Sequence, residues 1–377
     1  MEDRPDRASG TDQPRTDAEP SFFADPKRLI QTAVAVVLLV VAIYVLFPRI
    51  VGLEDVWGTI KTGDTLWIGI AVLFNLGAFA AYVALFRGVV AEHVLHLEWR
   101  ESYQITMAGL AATRLFSAGG AGGILLTYWA LRKAGMERRQ SVCRMVAFLV
   151  LLYSVYLLAL VVFGILLRTG VLEGEAKLST TVVPASLAGG VIVLFLLIAL
   201  LPDDFERRIE HMTSGSLGRL AQRLATAPAT VAQGTRTAIA FVRHPRAGAL
   251  AIGGAIGFWG ANIAILWASF HAFGVEVPVG VIVQGFFIGM IANLFPLAPG
   301  GVGAVDAGMI GAFVLFGLPS EPVFASVLVY RAIAFWLPVP PGVVAFFQLR
   351  KTVQRWEQQG RERPEPVDVT RPETAPT

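Results

Sequence analysis

Long uncharged stretches alternate with polar segments along most of the chain. Each stretch is close to or above the roughly 20 residues that an α-helix needs to cross a bilayer. The stretches are continuously apolar, whereas the strands of a transmembrane β-barrel alternate apolar and polar residues. The pattern therefore predicts membrane-spanning helices. The stretches are Leu29–Pro48, Leu66–Phe86, Met145–Leu167, Leu178–Pro202 and Ala247–Phe270.

The positive charges between these stretches predict their orientation. Arg and Lys cluster in 132–144, in 207–246 and in 350–355, whereas 275–278 and 318–322 contain neither residue. Loops rich in Arg and Lys stay in the cytoplasm. We therefore expect the first three segments inside, the last two outside, and both termini in the cytoplasm.

Two further apolar blocks, Tyr103–Leu131 and Pro278–Gly317, must enter and leave on the same side for this assignment to hold. Each contains a glycine-rich turn, and Gly119, Gly120 and Gly122 of the first recur with the same spacing as Gly300, Gly301 and Gly303 of the second. We interpret each block as a re-entrant helical hairpin, the first opening from the cytoplasm and the second from outside. Two short spans joined by a tight turn would give the same sidedness, and glycines also simply allow close helix packing.

Composition agrees with a membrane protein, since 55% of the residues are hydrophobic and only 16% are charged. We expect an all-α polytopic fold with about six full transmembrane helices and two oppositely oriented re-entrant hairpins, together about eight helical membrane segments in an inverted repeat. The expected parts are a disordered cytoplasmic tail over 1–28, a transmembrane domain over 29–350 with a cytoplasmic amphipathic segment over 203–246, and a disordered cytoplasmic tail over 351–377. Leu217, Leu220 and Leu224 share one helical face in that segment and favour a helix on the anionic inner leaflet.

Three charged residues interrupt the apolar blocks, and intramembrane charges are expensive enough to suggest function. Arg114 precedes the first glycine turn, Asp306 follows the second, and Arg331 interrupts the last apolar run. Asp306 and Arg331 either pair with each other, or Arg331 holds a lipid phosphate that Asp306 orients. A purely structural ion pair or snorkelling to the surface are the alternatives.

The glycine turns themselves suit an anion. Half-helix N-termini carry partial positive charge and free N–H groups, which favour phosphate. Asn75, Asn262 and Asn293 are polar groups in apolar helices and more often bond neighbouring backbone than a substrate. The predicted substrate-binding residues are Arg114, Gly119, Gly120, Gly122, Asn293, Pro299, Gly300, Gly301, Gly303, Asp306 and Arg331.

The segment Gly289–Asp306, followed by Tyr330-Arg331 and Phe335–Pro338, resembles the transmembrane, flippase-like region of lysylphosphatidylglycerol synthases and its stand-alone relatives. The resemblance covers about residues 29–350. It implies movement of a lipid head group between leaflets, in the best-known members an aminoacylated phosphatidylglycerol. Asp306 stands where the resemblance leads us to expect Glu. Only a polar tail follows the last span, so we do not expect this chain to synthesise an aminoacyl lipid.

The resulting prediction is a plasma (inner) membrane lipid flippase that moves or binds an anionic, aminoacylated or polyprenyl-linked head group. The alternative is a non-transporting subunit that docks or regulates an envelope lipid or glycan biosynthetic enzyme. A membrane-embedded enzyme is less favoured, because the apolar blocks lack a carboxylate pair, a nucleophile–base set or a metal-ligand cluster. The expected partners are a membrane phospholipid or lipid-linked substrate, with a homo-oligomer left open, and no cofactor, metal, or nucleic acid.

Overall fold

Helices make up almost all of the part of the chain that the computed structural model describes, which is residue 31 and residues 62–91, 97–116, 121–174, 177–200, 216–292 and 303–360. The described residues contain no strand, which agrees with the predicted all-α fold. Of the predicted span Leu29–Pro48 only residue 31 is described, and the tail over 1–28 lies outside the described residues. The helices are α1 Thr65–Phe86, α2 Trp99–Phe116, α3 Ala121–Lys133, α4 Arg138–Arg168, α5 Val182–Ala199, α6 Ser216–Arg243, α7 Pro245–Ala272, α8 Val279–Ile291, α9 Ala304–Leu315, α10 Ser320–Arg331 and α11 Val339–Gln358.

Five helical segments of the described residues are long and apolar enough to cross a membrane. Four of them contain most or all of a predicted uncharged stretch, since lipid requires every backbone group to bond within its own helix. Two shorter apolar helices, α8 and α9, flank the second glycine turn. The long segments are Thr65–Val90, Arg138–Arg168, Val182–Ala199, Pro245–Ala272 and Ser320–Gln358.

Glycines set the closest helix contacts, as is typical where small residues let backbones approach. Helices α1 and α7 pack antiparallel, with Gly88 against Ala251 and Gly254 against the backbone of Leu85. A Cβ on Gly254 would meet that backbone amide, so α1 and α7 cannot separate without losing this fit.

The two predicted glycine blocks form two packed helix pairs. In the first pair, α2 and α3, Gly123 lies against Thr113 and the carbonyl oxygen of Gly109. In the second pair, α8 and α9, Gly289 lies against Met309. Residues 117–120 and 293–302, which join the helices of each pair, lie outside the described residues.

The last helix ties the first pair to the end of the chain. In α11, Gly342 lies against Ala111 of α2, and Trp356 Nε1 donates a hydrogen bond of 3.0 Å to Glu101 of α2. The buried face of α11 continues through Leu349 and Val353 to Trp356. The helix therefore extends beyond residue 350, after which we had predicted a disordered tail.

Helix α6 provides the predicted helix within 203–246. Side chains are described from Thr230 onward, and there Gly234 packs against Val146 while Arg236 donates to the carbonyl oxygen of Ala199 at 3.0 Å. The C-terminal part of α6 therefore packs on α4 and α5. Its position on the inner leaflet stays a prediction.

The segment Ser320–Gln358 is not one regular helix. A π-helical turn, Ala332–Trp336, follows α10, and Pro338 and Pro340 come directly afterwards. Proline lacks an N–H group and therefore breaks the hydrogen-bond ladder of a helix. The break leaves backbone carbonyl groups inside the helix bundle, and the candidate site is built around them.

Candidate functional site

Each of the three predicted charges lies at the end of a helix. Arg114 is in the last turn of α2, Arg331 in the last turn of α10, and Asp306 in the first turn of α9. A helix carries partial negative charge at its C-terminus and partial positive charge at its N-terminus. All three side chains therefore have the sign that their own helix end stabilises.

Asp306 and Arg331 form a buried ion pair. Asp306 Oδ1 lies 2.6 Å from Arg331 Nε, and the two residues are 8% and 4% exposed. Asp306 Oδ2 accepts a hydrogen bond of 2.9 Å from the backbone N–H of Gly303, which caps the N-terminus of α9. Gly303 has a φ of +81°, a conformation that favours glycine. The pair joins α9 to α10, as one of the alternatives weighed for these residues anticipated.

Arg114 binds backbone instead of a carboxylate. Its guanidinium donates to the carbonyl oxygens of Phe335 at 2.5 Å and Ala334 at 3.0 Å. Pro338 stands four residues after Ala334, and Pro340 five residues after Phe335, where α- and π-helical N–H donors would otherwise be. Arg114 thus supplies a donor to the Ala334 carbonyl, whose α-helical partner would be Pro338, and bonds the Phe335 carbonyl beside it.

The ring of Phe335 brings the two arginines together. The guanidinium carbon of Arg331 lies 4.4 Å from the ring centroid, and that of Arg114 lies 4.9 Å from it. Cations within about 6 Å of an aromatic centroid are attracted by the ring. We call Arg114, Asp306, Arg331 and Phe335 the charge cluster.

A polar layer extends from the charge cluster into α7. The hydroxyl of Tyr330 donates to Asn262 Oδ1 at 3.5 Å, a long bond, and Asn262 Nδ2 donates to the carbonyl of Phe258 in its own helix. Asn262 thus bonds a backbone carbonyl and a neighbouring side chain, which is the structural role that we expected to be more common than substrate binding for such residues.

Asn75 lies at the same level of the bundle on α1. Two contacts between α1 and α7 set this level: Trp67 of α1 meets Trp267 of α7, and Ala81 of α1 meets Gly257 of α7. Asn75 lies between Trp67 and Ala81 in α1, and Asn262 lies between Gly257 and Trp267 in α7, so the two asparagines are at about the same height. Asn75 is 1% exposed, and its Nδ2 has no hydrogen-bond acceptor among the described residues.

The structure places five of the eleven predicted site residues. Arg114, Asp306 and Arg331 meet in the charge cluster, Gly303 caps α9, and Gly122 lies in the first turn of α3. The remaining six lie outside the described residues, and their role stays a prediction. These six are Gly119, Gly120, Asn293, Pro299, Gly300 and Gly301.

Sequence reasoning missed the role of Phe335 and of the carbonyl groups around it. The signal was available, because Pro338, Pro340 and Pro341 inside an otherwise apolar run predict a helix break with freed carbonyls. The sequence did not indicate which donor bonds these carbonyl groups, since Arg114 is 220 residues away from Ala334 along the chain.

The charge cluster holds two cations and one anion, a formal charge of +1. Asp306 is the only buried carboxylate among the described residues. Arg114 is half-buried. The arrangement can bind an anion electrostatically; neither covalent nor acid–base chemistry follows from it.

Comparison with known proteins gives short matches to curated relatives. Three segments of proteins named "UPF0104 membrane protein" from Methanothermobacter thermautotrophicus are similar to this chain, at 31% identity over 86 residues, 34% over 87 and 27% over 90. Each match covers 23–24% of this chain and 26% of the relative. The chain thus spans about a quarter of the length of these relatives.

A family model covers far more of the chain. The model of the lysylphosphatidylglycerol synthase TM region matches residues 30–342, a range that includes both glycine blocks and the whole charge cluster. This match confirms the resemblance predicted from the sequence. The chain is a membrane protein that belongs to the family of the lysylphosphatidylglycerol synthase TM region.

Proposed function

We propose that this protein binds the phosphate-bearing head group of a membrane lipid at the charge cluster and moves it between the leaflets of the membrane. The observation that carries the proposal is the meeting of Arg114, Arg331 and Asp306 at helix ends inside an apolar bundle. Charges in such a place are costly and persist mainly where they serve a substrate path. Moving a lipid requires no covalent step, so the proposal involves no catalytic residue.

The depth of the charge cluster supports this role. Arg114 is fifteen residues after Trp99 in α2, and Arg331 is eleven residues after Ser320 in α10. At about 1.5 Å per residue, these helices carry the arginines about 22 Å and about 17 Å from their starts. In a hydrocarbon layer about 30 Å thick, helices of these lengths that start at the two faces would both end well inside the layer.

The short helices support re-entrant hairpins as part of the proposal. Helices α8 and α9 have 13 and 12 residues, or about 20 Å and 18 Å, too little to cross the bilayer upright. We propose that α2–α3 opens from the cytoplasm and α8–α9 from outside, as an inverted repeat in the plasma membrane with both termini inside. A polar head group would pass between the two hairpins while its acyl chains stay in lipid.

Transport is tested in proteoliposomes that contain a fluorescent phospholipid, with a membrane-impermeant quencher reporting how much label reaches the outer leaflet. Wild-type protein is expected to speed the exchange well above protein-free vesicles, and Arg331→Ala to abolish that increase. Arg168→Ala, an exposed arginine at the end of α4, is the matched control and is expected to transport like wild type.

Folding must be separated from transport in this assay. Arg331→Lys keeps the charge opposite Asp306, and size-exclusion and thermal-unfolding profiles of each variant report folding. Wild-type protein that moves none of the phospholipids tried would contradict the proposal.

Orientation is tested with single cysteines and a membrane-impermeant maleimide in intact cells. The chain's one cysteine, Cys143, is buried, so a Cys143→Ser background is suitable. Glu276→Cys is expected to react from outside, and Arg139→Cys only after the membrane is opened. Labelling of Arg139→Cys in intact cells would refute the proposed orientation.

A further inference from the structure

The apolar part of the chain contains a single carboxylate. Between Glu276 and Glu321 the only acidic residue is Asp306, and between Glu101 and Glu137 there is none. The long spans α1, α4, α5 and α7 contain no acidic residue, and in α10–α11 the two acidic residues, Glu321 and Glu357, each stand one residue from an end. Since this is a property of the sequence, it also covers the glycine turns.

That single carboxylate is already in use on both of its oxygens. Oδ1 faces Arg331 Nε, and Oδ2 accepts from the N–H of Gly303. To bind an ammonium group, Asp306 would have to give up the pair that holds α9 to α10 or the cap of α9. Truncating a buried ion pair is strongly destabilising.

Among the described residues, the second arginine has no carboxylate beside it. Arg114 bonds two neutral carbonyl groups, and the ionisable side chains near it in that part of the chain are Arg331, Tyr330 and Tyr82. The C-termini of α2 and α10 carry partial negative charge and the N-terminus of α9 carries partial positive charge, each about half an elementary charge, so the helix dipoles offset only part of the unit charge of the cluster. The positive charge of the cluster therefore persists, away from bulk water.

We infer that the charge cluster selects a head group of net negative charge, a phosphodiester without an amino group, and disfavours an aminoacylated head group. This inference rests on the proposed function and specifies its substrate class. A phosphodiester carries one negative charge and would neutralise the +1 cluster, whereas a lysyl ester adds two ammonium groups that meet Arg114 and Arg331 and find no available carboxylate. The lipid phosphate, not free phosphate, is the ligand, because the cluster is enclosed by apolar helices.

The test compares three labelled lipids in the proteoliposome assay. These are phosphatidylglycerol, phosphatidylcholine and lysylphosphatidylglycerol, each at the same low mole fraction in neutral vesicles. We expect phosphatidylglycerol to move about tenfold faster than the lysyl lipid, with phosphatidylcholine between them; a tenfold ratio corresponds to about 1.4 kcal/mol. Adding millimolar inorganic phosphate is expected to leave the rates unchanged.

A charge-neutralising variant tests the cause of the selectivity. Asn75 lies seven residues before Tyr82, on the same face of α1. Its Nδ2 donates no hydrogen bond among the described residues. Asn75→Asp therefore adds a negative charge without removing a hydrogen bond that Nδ2 makes there. We expect this variant to bring the ratio of phosphatidylglycerol to lysyl-lipid rates close to one. Asn75→Leu removes the amide without adding charge, and should keep the wild-type ratio.

The outcomes separate this inference from the proposed function. Equal or faster movement of the lysyl lipid by wild-type protein overturns the inference and leaves lipid transport standing. Inhibition by inorganic phosphate overturns the lipid as source of the anion, and an unchanged ratio in Asn75→Asp overturns charge as its cause. Movement of none of the three lipids refutes the proposed function itself.

Discussion

The two arginines of the charge cluster sit on the same aromatic ring but are held in different ways. Arg331 faces a carboxylate, Asp306 Oδ1, at 2.6 Å. Arg114 faces the carbonyl oxygens of Ala334 and Phe335. One cation is therefore matched by a full opposite charge, and the other only by dipoles at a helix break.

Because of this difference, we expect the two arginines to contribute differently to the stability of the fold and to the attraction for a negatively charged ligand. A carboxylate and a guanidinium buried together depend on each other, since either one alone is an uncompensated charge. Carbonyl groups satisfy the N–H donors of Arg114 without removing its charge. We therefore expect Arg331 to dominate folding and Arg114 to dominate the attraction for an anion.

Removing Arg331 should give the largest loss of stability. Arg331→Ala leaves Asp306 buried without its partner, which we expect to cost about 3–5 kcal/mol of unfolding free energy. The double variant Arg331→Ala/Asp306→Ala should lose less than the sum of the two single variants, because it leaves no unpaired charge. Unfolding in detergent micelles by heat or denaturant measures both, with Arg168→Ala as control. Additive losses would show that the pair is not coupled.

Changing Arg114 should separate charge from hydrogen bonding. Arg114→Ala removes two bonds and leaves two carbonyls without this donor, for an expected loss of about 2–3 kcal/mol, smaller than for Arg331. Arg114→Lys keeps the charge but not the planar fork that reaches both carbonyls. We expect the lysine variant to unfold more easily than wild type and still prefer anionic lipid. Loss of that preference in Arg114→Lys would assign the selectivity to the fork geometry instead.

The sequence predicted the helices better than the contacts between them. Met145–Leu167 falls inside the observed span Arg138–Arg168, because an uncharged run in lipid has few alternatives to a helix. The pairing of Asp306 with Arg331 was one of the alternatives left open, and the two side chains lie 2.6 Å apart. The partner of Arg114 depends on tertiary structure, and no local pattern in α2 indicates it.

The two glycine blocks differ in what their close contacts meet. A Cβ on Gly289 of α8 would meet backbone atoms of Met309, and one on Gly123 of α3 would meet the carbonyl of Gly109 and the side-chain hydroxyl of Thr113. Both contacts include backbone atoms, which cannot rotate away, so we expect Gly289→Ala and Gly123→Ala each to destabilise by about 1–3 kcal/mol. Gly311 of α9 has no neighbour within 4 Å of its built Cβ, and Gly311→Ala should instead gain about 0.5–1 kcal/mol. Unfolding midpoints in matched micelles rank the three, and a larger loss for Gly311→Ala than for Gly289→Ala would contradict the packing of α8 on α9.

The smallest effect is expected at the rim of the first block, far from the charge cluster. Lys133 Nζ at the end of α3 lies 2.9 Å from Glu357 Oε1 of α11, with side chains 15% and 40% exposed. A partly exposed pair of this kind contributes about 0.2–1 kcal/mol and is screened by salt. Lys133→Ala should therefore shift unfolding only slightly, less still in high salt, and leave lipid selectivity unchanged. If Lys133→Ala lowered transport as much as Arg114→Ala, the charge that attracts the head group would belong to the exposed end of α3 and not to the buried cluster.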